Sequence, residues 1–594
     1  MQFGKIVMDN LRIVTELIET ASGKREFDLI IRNVQIVNVY SGEIINGSLG
    51  IYKGLIVSPY VNENIKAKKI FEGKNLFALP GFIDTHVHID STLLTPAALA
   101  ALITPHGTTA VFADPMEIAN VAGMRGIKAF IQSGSDLPYH FYIEVPSRVP
   151  SAPGLETTGG EIGLEETREM LAWDSTISLG ELDPSKIIDR KKEYLEKVLH
   201  AQVVRKIVNG HTAGLSREKL VAYACACIAD DHECITYEEA KERLSLGMCV
   251  LVREGSTERN LEALVRGLVR EKSATHHWMM CTDDKHPDDI AREGHIDHMV
   301  RKAISIGLDP IKAIQMATIN AAIHFRIDHI LGSLSPGRWA DIILARDLHD
   351  LYAEFVFFKG ELIAEKGRLI ADIKPNYFPK WLRNTIKITR GRSAMDFRLE
   401  ADSQAVNARV IHISSDQIVN EGRTAFLQVV DGNVKTAPQR DILKLAVVER
   451  YGKNGNIGIT FVSGFGLKNG ALASSVSHDH HNIVIVAADD TSMACCVRAI
   501  ERMQGGLVVC NGNEVLAELP LPIGGLLSDQ SAAVVIKSFE KLNQAARSLG
   551  CSLPAPFMTL SFISLPTVPE LGLTDMGLIL VKEQKIIPPL LSLQ

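Results

Sequence analysis

The middle of the chain, about residues 80 to 326, alternates short apolar runs with amphipathic stretches. Segments such as 185–202 and 257–272 have the spacing of apolar positions that is typical of amphipathic helices. The apolar runs have the length of buried strands, and eight can be identified: 77–90, 108–114, 140–145, 176–181, 203–211, 227–232, 248–254 and 278–283. Eight βα repeats over about 250 residues predict an α/β fold with a TIM-like (β/α)8 barrel.

A doubly wound open sheet is the alternative fold for alternating strands and helices. Such folds with a dinucleotide site carry a Gly-x-Gly-x-x-Gly turn after the first strand. The residues after 77–90 lack this turn, so we favour the barrel.

Two β-rich patches, about 27–77 and 340–364, flank this middle region. They predict a small β-sandwich built from both flanks, and we predict a separate α+β domain beyond it, with a helix at 439–451. The predicted domains are 1–79 (first part of the sandwich), 80–330 (barrel), 331–378 (second part of the sandwich) and 379–594 (C-terminal α+β domain).

Composition and charge narrow the class of protein. The 594 residues are 46% hydrophobic and 22% charged, and no apolar run approaches the length of about 20 residues that spans a bilayer. Nine irregularly spaced cysteines predict no disulfide framework and favour the cytoplasm. A formal net charge of −7 provides no broad basic surface for nucleic acid. We therefore expect neither a membrane nor a nucleic-acid partner.

Residues that commonly bind metals stand at the ends of the predicted strands. His86 and His88 end the first strand, and residues i and i+2 of a strand point to the same face. Barrel enzymes gather their chemistry at the carboxyl ends of the strands. The other candidate ligands at these ends are Glu181, His211, His232 and Asp283. Four imidazoles and two carboxylates are enough for two cations, with Glu181 bridging them, and such a pair activates water at neutral pH.

Each of these positions also has a purely structural interpretation. His211 and His232 could be hydrogen-bonded core histidines, Glu181 could pair with a nearby basic side chain, and Asp283 could cap a helix. All of these interpretations would have to hold together at the same end of successive strands. The metal hypothesis is therefore favoured.

Several motifs resemble a known family. The stretches 80–88 (PGFIDTHVH), 117–121 (EIANV), 231–233 (DHE) and 519–528 (LPLPIGGLLS) are similar to the amidohydrolase superfamily, and most closely to its adenine deaminase family. The similarity covers nearly the whole chain. Two departures are Met116, where the family usually shows His, and Thr212-Ala213, which replaces Ala-Pro.

This resemblance implies a metal set of His86, His88, Glu181, His211, His232 and Asp283 with a binuclear Mn²⁺ or Fe²⁺ centre, Zn²⁺ being used by relatives. It implies hydrolysis of adenine to hypoxanthine and ammonia, as in purine salvage, by metal-activated hydroxide. Asp283 would carry the proton of the hydroxide to the leaving amine, and Glu233 would protonate a ring nitrogen.

Further side chains near the strand ends are candidates for substrate binding. Glu117 follows strand two, and Arg253, Glu254 and Ser256 end strand seven. A helix-terminal role for Glu117 and an Arg partner for Glu233 are the structural alternatives. The motif 478–482 in the tail could bind another metal or close over the barrel mouth, or it could be a solvated turn.

Two other functions remain open at this point. A cyclic-amide hydrolase of the same superfamily is one alternative, although many of those enzymes carry a carboxylated Lys where this chain has Glu181. A catalytically inactive scaffold is the other, although such relatives usually lose ligands. For the enzyme we expect a small-molecule purine substrate and a homo-oligomer.

Overall fold

The computed structural model describes residues 11–61, 65–134, 136–374, 377–389, 396–413, 420–567 and 570–591. The first of these residues form one helix, α1 (Leu11–Ala21), followed by strands. These strands are β1 Phe27–Asn38, β2 Glu43–Tyr52, β3 Leu55–Ser58, β4 Ala67–Glu72 and β5 Phe77–Pro80.

Eight parallel strands, one at each predicted position, occupy the middle of the chain. They are β6 Phe82–Val87, β7 Thr108–Ala113, β8 His140–Val145, β9 Thr176–Leu182, β10 Ile207–Gly210, β11 Asp230–Asp231, β12 Cys249–Arg253 and β13 Trp278–Cys281. Helices alternate with them or follow them: α2 Pro96–Ile103, α3 Met116–Ser133, α4 Leu164–Leu171, α5 Pro184–Ile188, α6 Lys192–Val203, α7 Arg217–Ala224, α8 Tyr237–Ser245, α9 Leu261–Glu271, α10 Pro287–Glu293, α11 Ile296–Ser305, α12 Pro310–Met316 and α13 Ile319–His324.

The eight strands pair in chain order. Strands β6 to β10 form one parallel sheet and β11 to β13 form another. Ala229 N donates to Val208 O at 2.9 Å between the two sheets. At the opposite edges Asp283 N donates to His86 O at 3.0 Å, and His88 N donates to Asp283 O at 3.1 Å. These bonds bring the carboxyl ends of β6 and β13 together.

The predicted first strand, 77–90, is in fact two strands. Its first part, β5, pairs with β1 and belongs to the flanking sheet, and β6 begins after Gly81. A Cβ atom on Gly81 would lie only 2.0 Å from Oγ1 of Thr109. The chain therefore passes from one sheet to the other at a residue that only glycine can occupy without displacing its neighbour.

Strands from both flanks associate, as their apolar pattern predicts. The second flank supplies β14 Ile342–Ala345, β15 Ala353–Phe358, β16 Glu361–Glu365 and β17 Arg368–Leu369. Ile343 in β14 lies opposite Leu79 in β5 in an antiparallel pair. These strands join β1 to β5 in one hydrogen-bonded nine-stranded sheet, not in two separate sheets.

Over its described residues, the C-terminal region is built on a ten-stranded sheet and a three-stranded sheet, with three α-helices. The helices are α14 Asp490–Met503, α15 Ala532–Ser548 and α16 Pro556–Phe562. The strands are β18 Ala405–Ile413, β19 Asn420–Val430, β20 Asn433–Val434, β21 Leu443–Val448, β22 Ile457–Ser463, β23 Ala471–Ser474, β24 Ile483–Ala487, β25 Gly506–Asn511, β26 Glu514–Pro520, β27 Leu571–Thr574, β28 Gly577–Leu580, β29 Lys585–Ile587 and β30 Leu590–Leu591.

The helix predicted at 439–451 is wrong. Those residues contain strand β21, which lies between β22 and β24 and is buried along its whole length. A short apolar run that is covered on both faces has no periodicity to separate a strand from a buried helix.

The C-terminal region contacts the loop that follows β8. Thr157 donates to Asp575 through its backbone N at 2.9 Å and through Oγ1 at 2.6 Å. Asn482 Nδ2 donates to Thr157 O at 2.9 Å, and Lys453 Nζ donates to Thr158 O at 2.7 Å. These bonds hold the motif 478–482 beside the carboxyl ends of the central strands. Among the described helices, none is long and apolar enough to cross a membrane.

Candidate metal centre

One carboxylate oxygen, Oε1 of Glu181, lies at the centre of four imidazoles. The ring nitrogen Nε2 lies 3.2 Å away for His86, 3.4 Å for His88 and 3.2 Å for His232. Nδ1 of His211 lies 3.8 Å away. The ends of β6, β9, β10 and β11 supply these side chains, so the parallel register brings distant residues into one cluster.

The cluster divides into two groups that share Glu181. His86, His88 and Asp283 surround it in one group, and His211 and His232 in the other, with all ligand atoms of a group within 4.8 Å of one another. Oδ1 of Asp283 lies 3.5 Å from Nε2 of both His86 and His88. The structure thus brings all six predicted ligands together.

The chemistry of these donors fits divalent cations. Both ring nitrogens of His211 and Nε2 of His232 are buried without a hydrogen-bond partner in the described part of the chain. Leaving such groups unpaired in the interior costs free energy. Imidazole and carboxylate are common ligands of zinc and of other first-row divalent metals. A cation held by Glu181, His211 and His232 would satisfy Nε2 of His232 and one ring nitrogen of His211.

Two further carboxylates lie behind the histidine pair. Oε2 of Glu144 lies 2.9 Å from Nδ1 of His86 in a hydrogen bond, and Oε1 of Glu117 lies 2.9 Å from Nδ1 of His88. A carboxylate on the far nitrogen fixes the tautomer and orientation of a ligand histidine. Sequence reasoning missed Glu144, although a carboxylate within the apolar strand β8 was a signal for it.

Arg148 contacts the other oxygen of the shared carboxylate. Its Nη2 donates to Oε2 of Glu181, and both side chains are almost fully buried. Burial alone would raise the pKa of Glu181, but Arg148 and the surrounding imidazoles hold that pKa well below its usual range. Arg148 was also missed from the sequence, because its place after the end of β8 carries no motif.

Asp283 is held as a carboxylate in a constrained position. Burial would raise its pKa, but His86 and Arg253 outweigh burial and lower it. Arg253 Nη1 donates to Oδ2 of Asp283 at 2.8 Å. The backbone of Asp283 has φ of 54°, which residues other than glycine adopt at an energetic cost, often at functional sites.

Glu233 is a partner of Arg253, as the structural alternative predicted. Arg253 donates to both carboxylate oxygens of Glu233 at 3.0 Å, and Oε1 also lies 3.2 Å from Nδ1 of His211. Burial opposes ionisation, but Arg253 and His211 hold the pKa of Glu233 well below its usual range. These contacts favour the ionised form of Glu233, which accepts a proton before it can donate one.

A cavity of about 470 Å³ opens beside the cluster. This volume is within the range of small-molecule sites. Glu117, Arg253 and Met116 line it together with His88, Glu181 and Asp283 of the cluster. The C-terminal region contributes the rest of the wall, chiefly through His478, Asp479, Phe562 and Leu565.

Two predicted substrate contacts do not line this cavity. Glu254 is fully buried and accepts from Lys302 Nζ at 2.6 Å. Successive side chains of a strand point to opposite faces, so Glu254 points away where Arg253 points in. Ser256 bonds to Asp289 and lines a neighbouring cavity of about 430 Å³.

The central region and the C-terminal region of the chain each match a known protein family. Residues 77–365 match the model of the amidohydrolase family, and residues 417–585 match the adenine deaminase C-terminal domain. An adenine deaminase of Desulforamulus reducens is 52% identical over 98% of this chain and 99% of its own length.

Two further relatives also match over most of both chains. An adenine deaminase of Methanothrix thermoacetophila is 42% identical over 97% of this chain and 99% of its own. One from Archaeoglobus fulgidus is 40% identical over 96% and 97%. The chain belongs to the adenine deaminase family of the amidohydrolases.

Proposed function

We propose that this protein hydrolyses adenine to hypoxanthine and ammonia. The observation that carries the proposal is the convergence of four imidazoles and Asp283 on Oε1 of Glu181 beside a cavity of about 470 Å³. The names of its full-length relatives supply the substrate.

We propose a binuclear centre in which Glu181 is shared. His86, His88 and Asp283 would hold one divalent ion, and His211 and His232 would hold the other. Two such ions supply activation of a water molecule at neutral pH. Manganese or iron is the metal that the family resemblance favours, with zinc as the alternative.

The chain's own residues then handle protons and orientation. Asp283 is ionised beside Arg253, so its carboxylate can accept a proton from the attacking water and deliver it to the departing amine. Glu233, also ionised, accepts the other proton of the attacking water and passes it to a ring nitrogen. Arg253 holds both carboxylates in the cavity wall.

We also propose a detailed fold, a cellular location and an assembly state for this protein. The pairing of β6 to β13 supports a closed (β/α)8 barrel, flanked by the nine-stranded sheet and followed by the C-terminal α+β domain. Nine free thiols support a cytoplasmic protein. We propose a homo-oligomer that acts on a small purine in purine salvage, without a nucleic-acid partner.

The test is an assay of the metal-loaded protein with two substrates. We expect ammonia from adenine and no ring opening of dihydroorotate. Ring opening without ammonia would instead identify a cyclic-amide hydrolase. Less than about one metal equivalent after careful purification, with neither activity, would identify an inactive scaffold.

A further inference from the structure

Asp479 is a buried carboxylate that the proposed chemistry does not use. Its side chain belongs to the C-terminal region, is 4% exposed and lines the cavity beside the metal cluster. Oδ2 has no hydrogen-bond partner among the described residues. Nη1 of Arg148 lies 3.8 Å from it, beyond hydrogen-bond distance. Asp479 therefore offers an acceptor to whatever occupies the cavity.

The other carboxylates in this wall already have partners. Glu181, Glu233 and Asp283 contact the histidines and arginines of the cluster. Outside the cluster, Oε1 of Glu117 also lacks a hydrogen bond but lies 2.9 Å from Nδ1 of His88, closer than the 3.8 Å between Asp479 and Arg148. Asp284 accepts from Ser91, Glu258 accepts from Thr257, and Glu239 accepts from backbone N–H groups at the start of α8.

The backbone around Asp479 is fixed by contacts on both sides. Tyr451 donates through its hydroxyl to His480 O at 2.6 Å, and His481 N donates to Ser477 O at 2.7 Å. Asn482 bonds to Thr157 in the loop after β8. An acceptor held in this way loses little conformational entropy when a ligand binds.

Arg148 lies between this acceptor and the metal cluster at the reacting end of the cavity. The same guanidinium bonds to Oε2 of Glu181 and lies beside Asp479. Phe562, stacked on the ring of His478 with centroids 4.9 Å apart, adds an apolar surface to the wall of the same cavity. A planar base reaching the metal cluster with one edge can therefore meet Asp479 with another.

We propose that Asp479 accepts the ring N–H of the five-membered ring of a free purine base, and that it selects free bases over nucleosides. This inference rests on the proposed function. A neutral free purine has one such N–H, whereas a nucleoside carries a carbon substituent at that nitrogen. A site built to bond an N–H discriminates strongly against an analogue without it, because the buried acceptor is then unpaired.

The test compares binding of purine and 9-methylpurine to the metal-loaded protein by calorimetry. Neither compound has a 6-amino group, so neither is deaminated during the measurement. We expect Asp479→Ala to weaken purine binding about 10- to 100-fold and to bind 9-methylpurine at least as tightly as the wild type does, because the unpaired acceptor is gone. Asp479→Asn, which keeps an acceptor but loses the charge, should give a smaller loss. Exposed Asp402 in the same region provides the matched control, Asp402→Asn.

Ammonia release from adenine, measured in parallel, separates the two proposals. If binding depends on Asp479 but wild-type protein releases no ammonia, the deaminase proposal fails and the binding role of Asp479 stands. If adenine is deaminated and both Asp479 variants bind purine as the wild type does, the Asp479 proposal alone is overturned. A protein that binds neither compound overturns the Asp479 proposal, and one that also releases no ammonia from adenine overturns both. Should the alanine variant not fold, the asparagine variant decides.

Discussion

His86 and Glu144 form a buried pair in which Nδ1 of the imidazole lies 2.9 Å from Oε2 of the carboxylate. The two side chains come from β6 and β8, the strands on either side of β7. The bond directs the other nitrogen, Nε2, toward Glu181. A strand-interior carboxylate thus sets the geometry of a proposed metal ligand.

Replacing Glu144 tests this relationship. Glu144→Gln removes the charge behind His86, and we expect metal affinity to fall about 10- to 100-fold, as is usual when such partners of metal ligands are changed. Metal titration monitored by activity measures the effect, and excess metal should restore turnover. The control is Glu165→Gln on the surface of α4. Unchanged affinity would show that Glu144 is only a structural contact.

The sharing of Glu181 predicts a difference between two ligand variants. Glu181→Gln disturbs both groups of ligands, so we expect most of the bound metal to be lost. His232→Asn disturbs one group, so about one equivalent should remain. Elemental analysis of the purified variants measures both. Equal metal content in the two variants would contradict a bridging carboxylate.

Asp283→Asn separates proton transfer from metal binding. The asparagine side chain keeps an oxygen near His86 and His88 but is not basic, so we expect kcat to fall by about 10²- to 10⁴-fold. Metal should largely stay bound, because five of the six ligands are unchanged. Retained activity with full metal content would exclude Asp283 as the proton acceptor.

Glu156 gives a prediction about pH. Burial raises the pKa of this carboxyl to about 8, so the folded protein holds its proton where the unfolded chain has lost it. The contribution of this carboxyl to the free energy of unfolding is fully present below about pH 4.5 and is lost as the pH rises toward 8. Glu156→Gln keeps an acceptor for Ala152 N and removes the titration.

Thermal melts of wild type and variant at pH 5 and pH 8 measure this effect. We expect the Tm of the wild type to fall more between the two pH values than that of Glu156→Gln, by at least about 1 °C. All other titrating groups are common to both proteins and cancel in the comparison. Parallel Tm curves would contradict a neutral Glu156 in the folded state.

Predictions from the sequence succeeded where they depended on local properties, namely the periodicity of apolar residues and the residue types at strand ends. The alternation of apolar runs located each of the strands β6 to β13, and the positions of His86, Glu181 and Asp283 followed from their places at strand ends. The helix predicted around β21 shows the limit, because a run buried on both faces has no period to read. Glu254 shows a second limit of prediction from the sequence. A shift of one residue along a strand reverses the direction in which the side chain points.

The sequence by itself determined the order of the central strands, the six candidate ligands and the family, because these depend on residue types and their spacing. Only the tertiary structure decided which side chains support those ligands and what covers them. Glu144 and Arg148 acquire their partners through strand pairing, and Asp479 reaches the cavity because the C-terminal region binds the loop at Thr157. Such contacts join residues up to hundreds of positions apart, and no local pattern records which distant surfaces pack together.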